Sequence, residues 1–184
     1  MIGNIKNISV LLSLLASSLI YSQELKYEEV VQVDSTITKQ ELYNRSRSWF
    51  VNNFKEDGAI LLVEDSSSGE ITGDASLRYN TSKIYFAVQC TIGYVSFKTN
   101  IYVKDGRYKY VFHTFKHHGT DCRRNGAVNY GLLTLEEKPP KPENEYPRKA
   151  PWNDIKEKTD EKIKLLISGL KEAMNKPHES NNNW

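Results

Sequence analysis

The chain has 184 residues, 25 lysines and arginines against 23 acidic residues, and a formal net charge of +2. That balance gives no electrostatic case for nucleic acid or for an acidic membrane surface as partner. The length suits one ordinary domain with a hydrophobic core, and eleven tyrosines against two methionines suit a β-rich exported protein.

Residues 1–22 read as a secretory signal. Lys6 supplies a short positive segment, Ile8 to Ile20 is apolar and broken by serines, and Ser22 is a small residue ahead of Gln23. The apolar run is too short for a membrane span and no second one follows. No cysteine stands near the cut, which argues against a lipid anchor. The alternative, a buried N-terminal helix, lacks a cap and an amphipathic pattern. Removal of Met1–Ser22 takes away one lysine and no acid, leaving the rest of the chain still closer to neutral.

Leu25 to Val33 alternates loosely and predicts a first strand. Thr38-Lys39-Gln40-Glu41 has capping-box spacing, a hydroxyl for the third amide and a glutamate able to reach back. Leu42, Tyr43, Trp49, Phe50 and Phe54 then lie on one helical stripe, and Gly58 is a stop signal. Ala59 to Val63 is a short apolar strand, Ser66-Ser67-Ser68-Gly69 a turn, and Ile71 to Tyr79 a second alternating strand with Ile71, Gly73, Ala75, Leu77 and Tyr79 on one side. Asn80 to Lys83 is a turn or loop; Ile84 to Ile92 either extends the next strand upstream or forms a separate flap.

Gly93 to Phe115 is the strongest pattern in the chain: one long β-hairpin about Asp105-Gly106, a pair suited to a type I′ turn with positive φ at both central residues. With Lys104 opposite Arg107, one face carries Val95, Phe97, Thr99, Ile101 and Val103 with Tyr108, Tyr110 and Phe112 across from them. That is the core side. The other carries Tyr94, Ser96, Lys98, Asn100 and Tyr102 with Lys109, Val111, His113 and Phe115 across. Five prolines between Lys138 and Pro151 exclude regular structure there and predict an extended crossing segment. Trp152, Ile155, Thr159, Ile163, Leu166, Ile167, Leu170 and Met174 then recur at helical spacing. The expected organisation is a signal at 1–22, a strand, helix and sheet core at 23–137, the proline segment at 138–151, a helix at 152–176 packing on the same domain, and a loose tail at 177–184 from which Trp184 could tuck back. The order β-α-β-β-β-β-α predicts an α+β two-layer sandwich: an antiparallel sheet with both helices on one face and the other face open.

These features resemble a known family: exported bacterial proteins with a domain of unknown function and a TATA-binding-protein-like fold. The likeness rests on the aromatic-rich helix from Leu42-Tyr43 to Trp49-Phe50, on Ile71-Thr72-Gly73, and on Gly93-Tyr94. It continues through Ile101-Tyr102-Val103-Lys104-Asp105-Gly106-Arg107-Tyr108-Lys109-Tyr110 and the helix opening Trp152-Asn153-Asp154-Ile155-Lys156. The resemblance implies a strand-helix-four-strand-helix fold and no catalytic residue.

Export puts the two cysteines in an oxidising compartment. The hairpin register, extended, places Cys90 opposite position 121, so Cys122 falls on the wrong face of a perfect ladder. A one-residue bulge, for which Gly93 or Gly119 is suited, would bring the thiols together and close a loop of about 30 residues, stabilising by about 3–4 kcal/mol; two free thiols are the alternative. His113, His117, His118 and Asp121 are the one cluster with metal-ligand chemistry. On a regular strand His113 and His117 share a face while His118 points away, and no second cluster supports a site. Glu64, Asp65 and Glu70 lie around one turn without an apolar pocket to perturb a carboxylate pair. No phosphate loop or nucleophile elbow is present, and no cofactor is implied.

The open face is what remains. Tyr94, Tyr102, Val111 and Phe115 make it more aromatic and apolar than a solvated surface requires, and the expected contact area is the part around Tyr94, Tyr102, Lys109 and Phe115. The expectation is a non-enzymatic, periplasmic or secreted module of the cell envelope that holds an envelope protein or ligand there. An envelope hydrolase or metal-dependent enzyme using His113–Asp121 is the alternative, and a structural accessory domain a third reading.

Overall fold

A computed structural model describes residues 23–54, 60–85, 87–120, 122, 126–139 and 148–176. The signal at 1–22, Gly58, Asp121, most of the proline segment and the tail with Trp184 lie outside the described residues.

In chain order the elements are β1 (Tyr27–Gln32), α1 (Lys39–Phe54), β2 (Ile60–Asp65), β3 (Glu70–Tyr79), the short α2 (Val88–Thr91), β4 (Gly93–Lys104), β5 (Arg107–Gly119), β6 (Gly131–Leu132) and α3 (Lys149–Asn175). The strands form one antiparallel sheet in the order β1-β5-β4-β3-β2. β6 pairs with Lys116 and His117 of β5, continuing the β1 side of the sheet past the end of β1. A bridge between Glu24 and Thr134 joins the two pieces. The result is the expected α+β two-layer sandwich, with α2 and β6 added. The flap at 84–92 resolves into α2, not into an extension of β4.

Helices α1 and α3 share one face of the sheet. Leu42, Trp49, Phe50 and Phe54 of α1 and Trp152, Ile155, Ile163, Leu170 and Met174 of α3 enter the same core as Ile71, Val95, Phe97, Ile101, Tyr108 and Phe112. Period-2 burial on the strands and the helical stripe on α3 are therefore two views of one apolar layer. At Gly73 the helix comes so close that an added Cβ would lie 2.4 Å from the Phe50 ring. Arg45 of α1 is buried although it is charged. Its Nε donates to Glu41 (2.8 Å) and its Nη1 to the Met174 carbonyl at the C-terminal end of α3 (2.6 Å), where a cation is favoured.

The hairpin corner differs from the type I′ expectation. Gly106 has φ 69 but Asp105 keeps a negative φ. The corner is docked on the β1–α1 connection. The Gly106 carbonyl accepts from Val33 N–H, Gly106 N–H donates to the Ile37 carbonyl (both 2.9 Å), and Asp105 Oδ1 accepts from Lys39 N–H (2.6 Å). Those bonds hold the turn in a form compatible with one left-handed residue.

A second difference sits in β5. Lys98 pairs with His113 but Ser96 pairs with Lys116, so Thr114 and Phe115 together face Phe97. Thr114 takes the left-handed conformation (φ 56) that such a bulge uses. Every side chain beyond it changes face. Phe115 becomes fully buried (0% exposed), stacked on Phe97 at 5.4 Å, not presented on the open face as the uninterrupted alternation predicted. Helix α3 begins at Lys149, ahead of the expected Trp152. Pro151 fits within its first turn, where an amide has no intrahelical acceptor to lose.

Candidate functional site

Opposite the helix layer, the sheet presents alternate residues of its strands. The face has three parts. At its centre the polar groups satisfy one another: Asn100 Nδ2 donates to Thr72 Oγ1 (2.7 Å), His113 Nε2 lies 2.8 Å from Asn100 Oδ1 and His113 Nδ1 2.8 Å from Thr114 Oγ1. At the end far from the hairpin corner, Tyr94 stacks on His118 with centroids 4.8 Å apart, and Ser96 Oγ lies 3.3 Å from His118 Nε2.

At the hairpin corner the arrangement is different. Val30, Lys109 and Tyr102 face one another in a row across β1, β5 and β4. Lys104 and Arg107 face each other in the next row. Together with Tyr108 these residues line a groove of about 400 Å³, at the lower end of small-molecule sites. Val30 is 55% and Tyr102 40% exposed, large values for apolar and aromatic side chains on a sheet. The groove is also unevenly charged. Lys109 is partly matched by Glu28 at 3.5 Å, which itself pairs with Lys26 at 2.6 Å. Among the described residues Lys104 and Arg107 take part in no ion pair. On the other flank Glu70 faces Tyr102 and accepts from Thr72 Oγ1 at 3.1 Å. Burial first, and Glu70 second, push the Tyr102 hydroxyl above its ordinary range, so the ring is a neutral phenol at any physiological pH.

The candidate residues read from the sequence are thus separated. Tyr102 and Lys109 meet in the groove. Tyr94 lies on the same face but eight positions along β4, roughly 27 Å away by strand rise. Phe115 is in the core. Val30, Lys104 and Arg107 are the members that reasoning from the hairpin missed. The facing of Lys104 and Arg107 was implicit in the register, whereas Val30 arrives through the non-local β1–β5 pairing.

The histidines do not converge. The bulge puts His113 and His118 on the open face and His117 in the core, reversing the expectation that His113 and His117 share a face. His117 is fully buried between the rings of Tyr79 and Tyr130. Its Nε2 donates to the Thr91 carbonyl (2.8 Å), and its Nδ1 accepts from Tyr130 N–H (3.3 Å). Both ring nitrogens are committed to holding α2 and the 126–130 segment against β5. The carboxylates at the β2–β3 turn are structural as well. Asp65 accepts from the hydroxyl and backbone N–H of Ser67 and from Ser68, contacts that hold its pKa at about 2, and Glu64 pairs with Arg47 at 2.7 Å.

Cys90 and Cys122 form a disulfide, with Cα atoms 5.0 Å apart. Asp154, near the start of α3, is buried as well. Burial would raise its pKa, but the Lys83 ammonium (2.8 Å), the Tyr79 hydroxyl (2.6 Å) and Thr81 together outweigh that and lower it. Tyr79 continues the chain to Tyr85 at 2.6 Å, and Tyr85 lies 3.3 Å from Thr91 Oγ1.

Residues 27–118, from β1 almost to the end of β5, match the family model for a domain of unknown function (DUF4468) with TBP-like fold. The chain belongs to the DUF4468 family. The matched region holds all six groove residues and leaves out β6 and helix α3. Two solved structures agree with it. A TBP-like protein from Parabacteroides distasonis superposes with a TM-score of 0.61 at 15% identity, covering 82% of this chain and 92% of its own. A DUF4468 family protein from Bacteroides ovatus does so with a TM-score of 0.61 at 12% identity, covering 85% and 90%. At such identities the likeness is one of fold. No curated protein matches this DUF4468 chain.

Proposed function

We propose that the chain is an exported, non-catalytic binding module of the cell envelope that holds its ligand or partner on the open sheet face. The observation that carries the reading is the groove at the hairpin corner, where exposed Tyr102 and Val30 adjoin two cations with no ion-pair partner among the described residues. Exposed aromatic surface beside unneutralised charge is poor design for a solvated face and good design for recognition.

Export is supported by the pattern of residues 1–22 and by the disulfide, which persists in oxidising compartments. Among the described residues no helix is long and apolar enough to cross a membrane. The alternative of a hydrolase or metal-dependent enzyme at His113–Asp121 gains less support, because His117 spends both nitrogens on the fold.

The test is a photo-crosslinking side chain placed at position 102 or, on the helix layer, at Leu165, in cells that make the protein. An adduct of defined mass from position 102 alone is the expected result. Identical adducts from both positions, or none from position 102, would overturn the reading.

A further inference from the structure

The groove has a chemistry of its own. Lys104 and Arg107 are directly opposite on an antiparallel ladder, a placement that costs stability through like-charge repulsion. Lys109 follows Arg107 on the same face, so three cations line one end of a single strand pair. On the β1 side Glu28 is shared between Lys109 and Lys26, whereas among the described residues Lys104 and Arg107 take part in no ion pair. Adjoining them is an apolar strip: the Tyr102 ring, the methylene stem of Lys109 and Val30, spanning about 10 Å across three strands.

Resting on the reading of the open face as a binding surface, we propose that this groove takes a small organic oxyanion, a phosphate or carboxylate carried on a flat apolar body. Arg107 and Lys104 receive the oxyanion: the guanidinium offers a planar fork matched to such groups and the ammonium a mobile point charge. The flat body lies on Tyr102 and against Val30. Both parts are required. A bare anion leaves the aromatic strip wet, and a neutral ring leaves two facing cations uncompensated. The size favours a small molecule over a macromolecular surface, since the groove is local and the neighbouring centre of the face is closed by the Thr72–Asn100–His113 hydrogen bonds.

The experiment is an amide chemical-shift titration of the purified protein with phenyl phosphate, benzoate, inorganic phosphate and phenol. Phenyl phosphate and benzoate should shift the amides around Val30, Tyr102, Lys104, Arg107 and Lys109, and phenyl phosphate should bind about tenfold more tightly than inorganic phosphate or phenol. The double variant Lys104→Gln/Arg107→Gln should weaken phenyl phosphate by about tenfold or more, while Lys98→Gln/Lys116→Gln, which removes the same charge elsewhere on the protein, should change it by less than about twofold. Tyr102→Ala should erase the preference for phenyl phosphate over inorganic phosphate, and Tyr102→Phe should keep it. Equal binding of phosphate and phenyl phosphate, shifts centred elsewhere, or equal loss in both double variants would overturn the proposal. So would tighter binding to anionic phosphatidylglycerol vesicles than to either aryl anion, or a dimer in sedimentation that Tyr102→Ala dissociates. If the titration fails while position 102 still yields its crosslinked adduct, the ligand class is wrong and the binding face stands; loss of both removes the two together.

Discussion

Asp105 Oδ1, at the corner of the β4–β5 hairpin, accepts the backbone N–H of Lys39 at the start of α1 (2.6 Å). Thr38 takes a second orphan amide of the same helix end, that of Glu41, at 3.3 Å. The carboxylate 66 positions away in sequence thus acts as a cap for the first helix, favoured further by the positive end of the helix dipole. The corner string Lys104-Asp105-Gly106-Arg107-Tyr108 therefore does several jobs at once. Each residue has a separate duty: Asp105 caps, Gly106 turns, Tyr108 packs, and Lys104 and Arg107 face the groove.

The cap gives the first prediction. Asp105→Ala should lower unfolding free energy by about 1–2 kcal/mol, and Asp105→Asn, which keeps an acceptor, by less. Gly106→Ala should cost about 1–2 kcal/mol through its left-handed φ of 69, with Ser35 Cα only 3.0 Å from the added carbon. Urea denaturation monitored by circular dichroism measures all three. An Asp105→Ala variant as stable as the parent would mean the cap contributes nothing.

The bulge gives the second. Phe115→Ala should destabilise by about 3–5 kcal/mol, because the ring is fully buried against Phe97. Tyr94→Ala, on the open face, should cost about 1 kcal/mol or less. Equal small effects in the same denaturation experiment would return Phe115 to the surface.

The same bulge separates what could be read in the sequence from what could not. Alternation identified β3, the hairpin and its core face as far as Phe112, since period-2 burial is a local property. It is blind to one inserted residue, and Thr114, β-branched and not glycine, carries no mark of a left-handed position. On a perfect ladder a cysteine pair would require such an insertion, and Gly93 and Gly119 are its expected sites. In the structure it lies at Thr114–Phe115. Beyond it Gly93 pairs with Gly119 and Thr120 N–H reaches the Ile92 carbonyl at 2.7 Å; the ladder stops there, because Cys90 belongs to helix α2. One insertion therefore buries Phe115 and sends His117 into the core, while the thiols meet through the helical turn of α2 at Cys90. The groove was half legible: Tyr102, Lys109 and the Lys104–Arg107 facing follow from the hairpin, but Val30 depends on a strand pairing that no local pattern encodes.

The disulfide gives the third prediction. Its partners are 32 residues apart in sequence, and a loop of that size corresponds to about 3–4 kcal/mol of chain-entropy stabilisation. Reduction, or the pair Cys90→Ala/Cys122→Ala, should lower stability by about that amount. Mass spectrometry after alkylation without reductant should find no modified cysteine; two alkylated thiols would contradict the bond.

His117 gives the fourth. Burial between Tyr79 and Tyr130 drives its pKa down to about 4, against which the Thr91 carbonyl pulls upward and nearby His118 pushes further down. Tyr79, whose ring packs against the imidazole, itself donates to the ionised Asp154 at 2.6 Å. The neutral imidazole belongs to the native state, while in the unfolded chain the ring titrates at about 6.5. The unfolded state therefore binds one more proton across the interval between those values, and stability must fall as pH falls through it. From pH 7 to pH 5 the loss from this residue alone is about 2 kcal/mol, and the slope from it ends near pH 4 where the folded protein also protonates. His117→Gln should be less stable than the parent at pH 7, because a buried hydrogen-bonded ring is lost, yet show a shallower fall between pH 7 and pH 5. The comparison of the two slopes by urea denaturation isolates the histidine, since the carboxylates of Asp65 and Asp154, whose pKa values are lowered, are common to both proteins. Parallel slopes would mean that His117 is protonated in the folded protein, which is incompatible with Nδ1 accepting the Tyr130 amide.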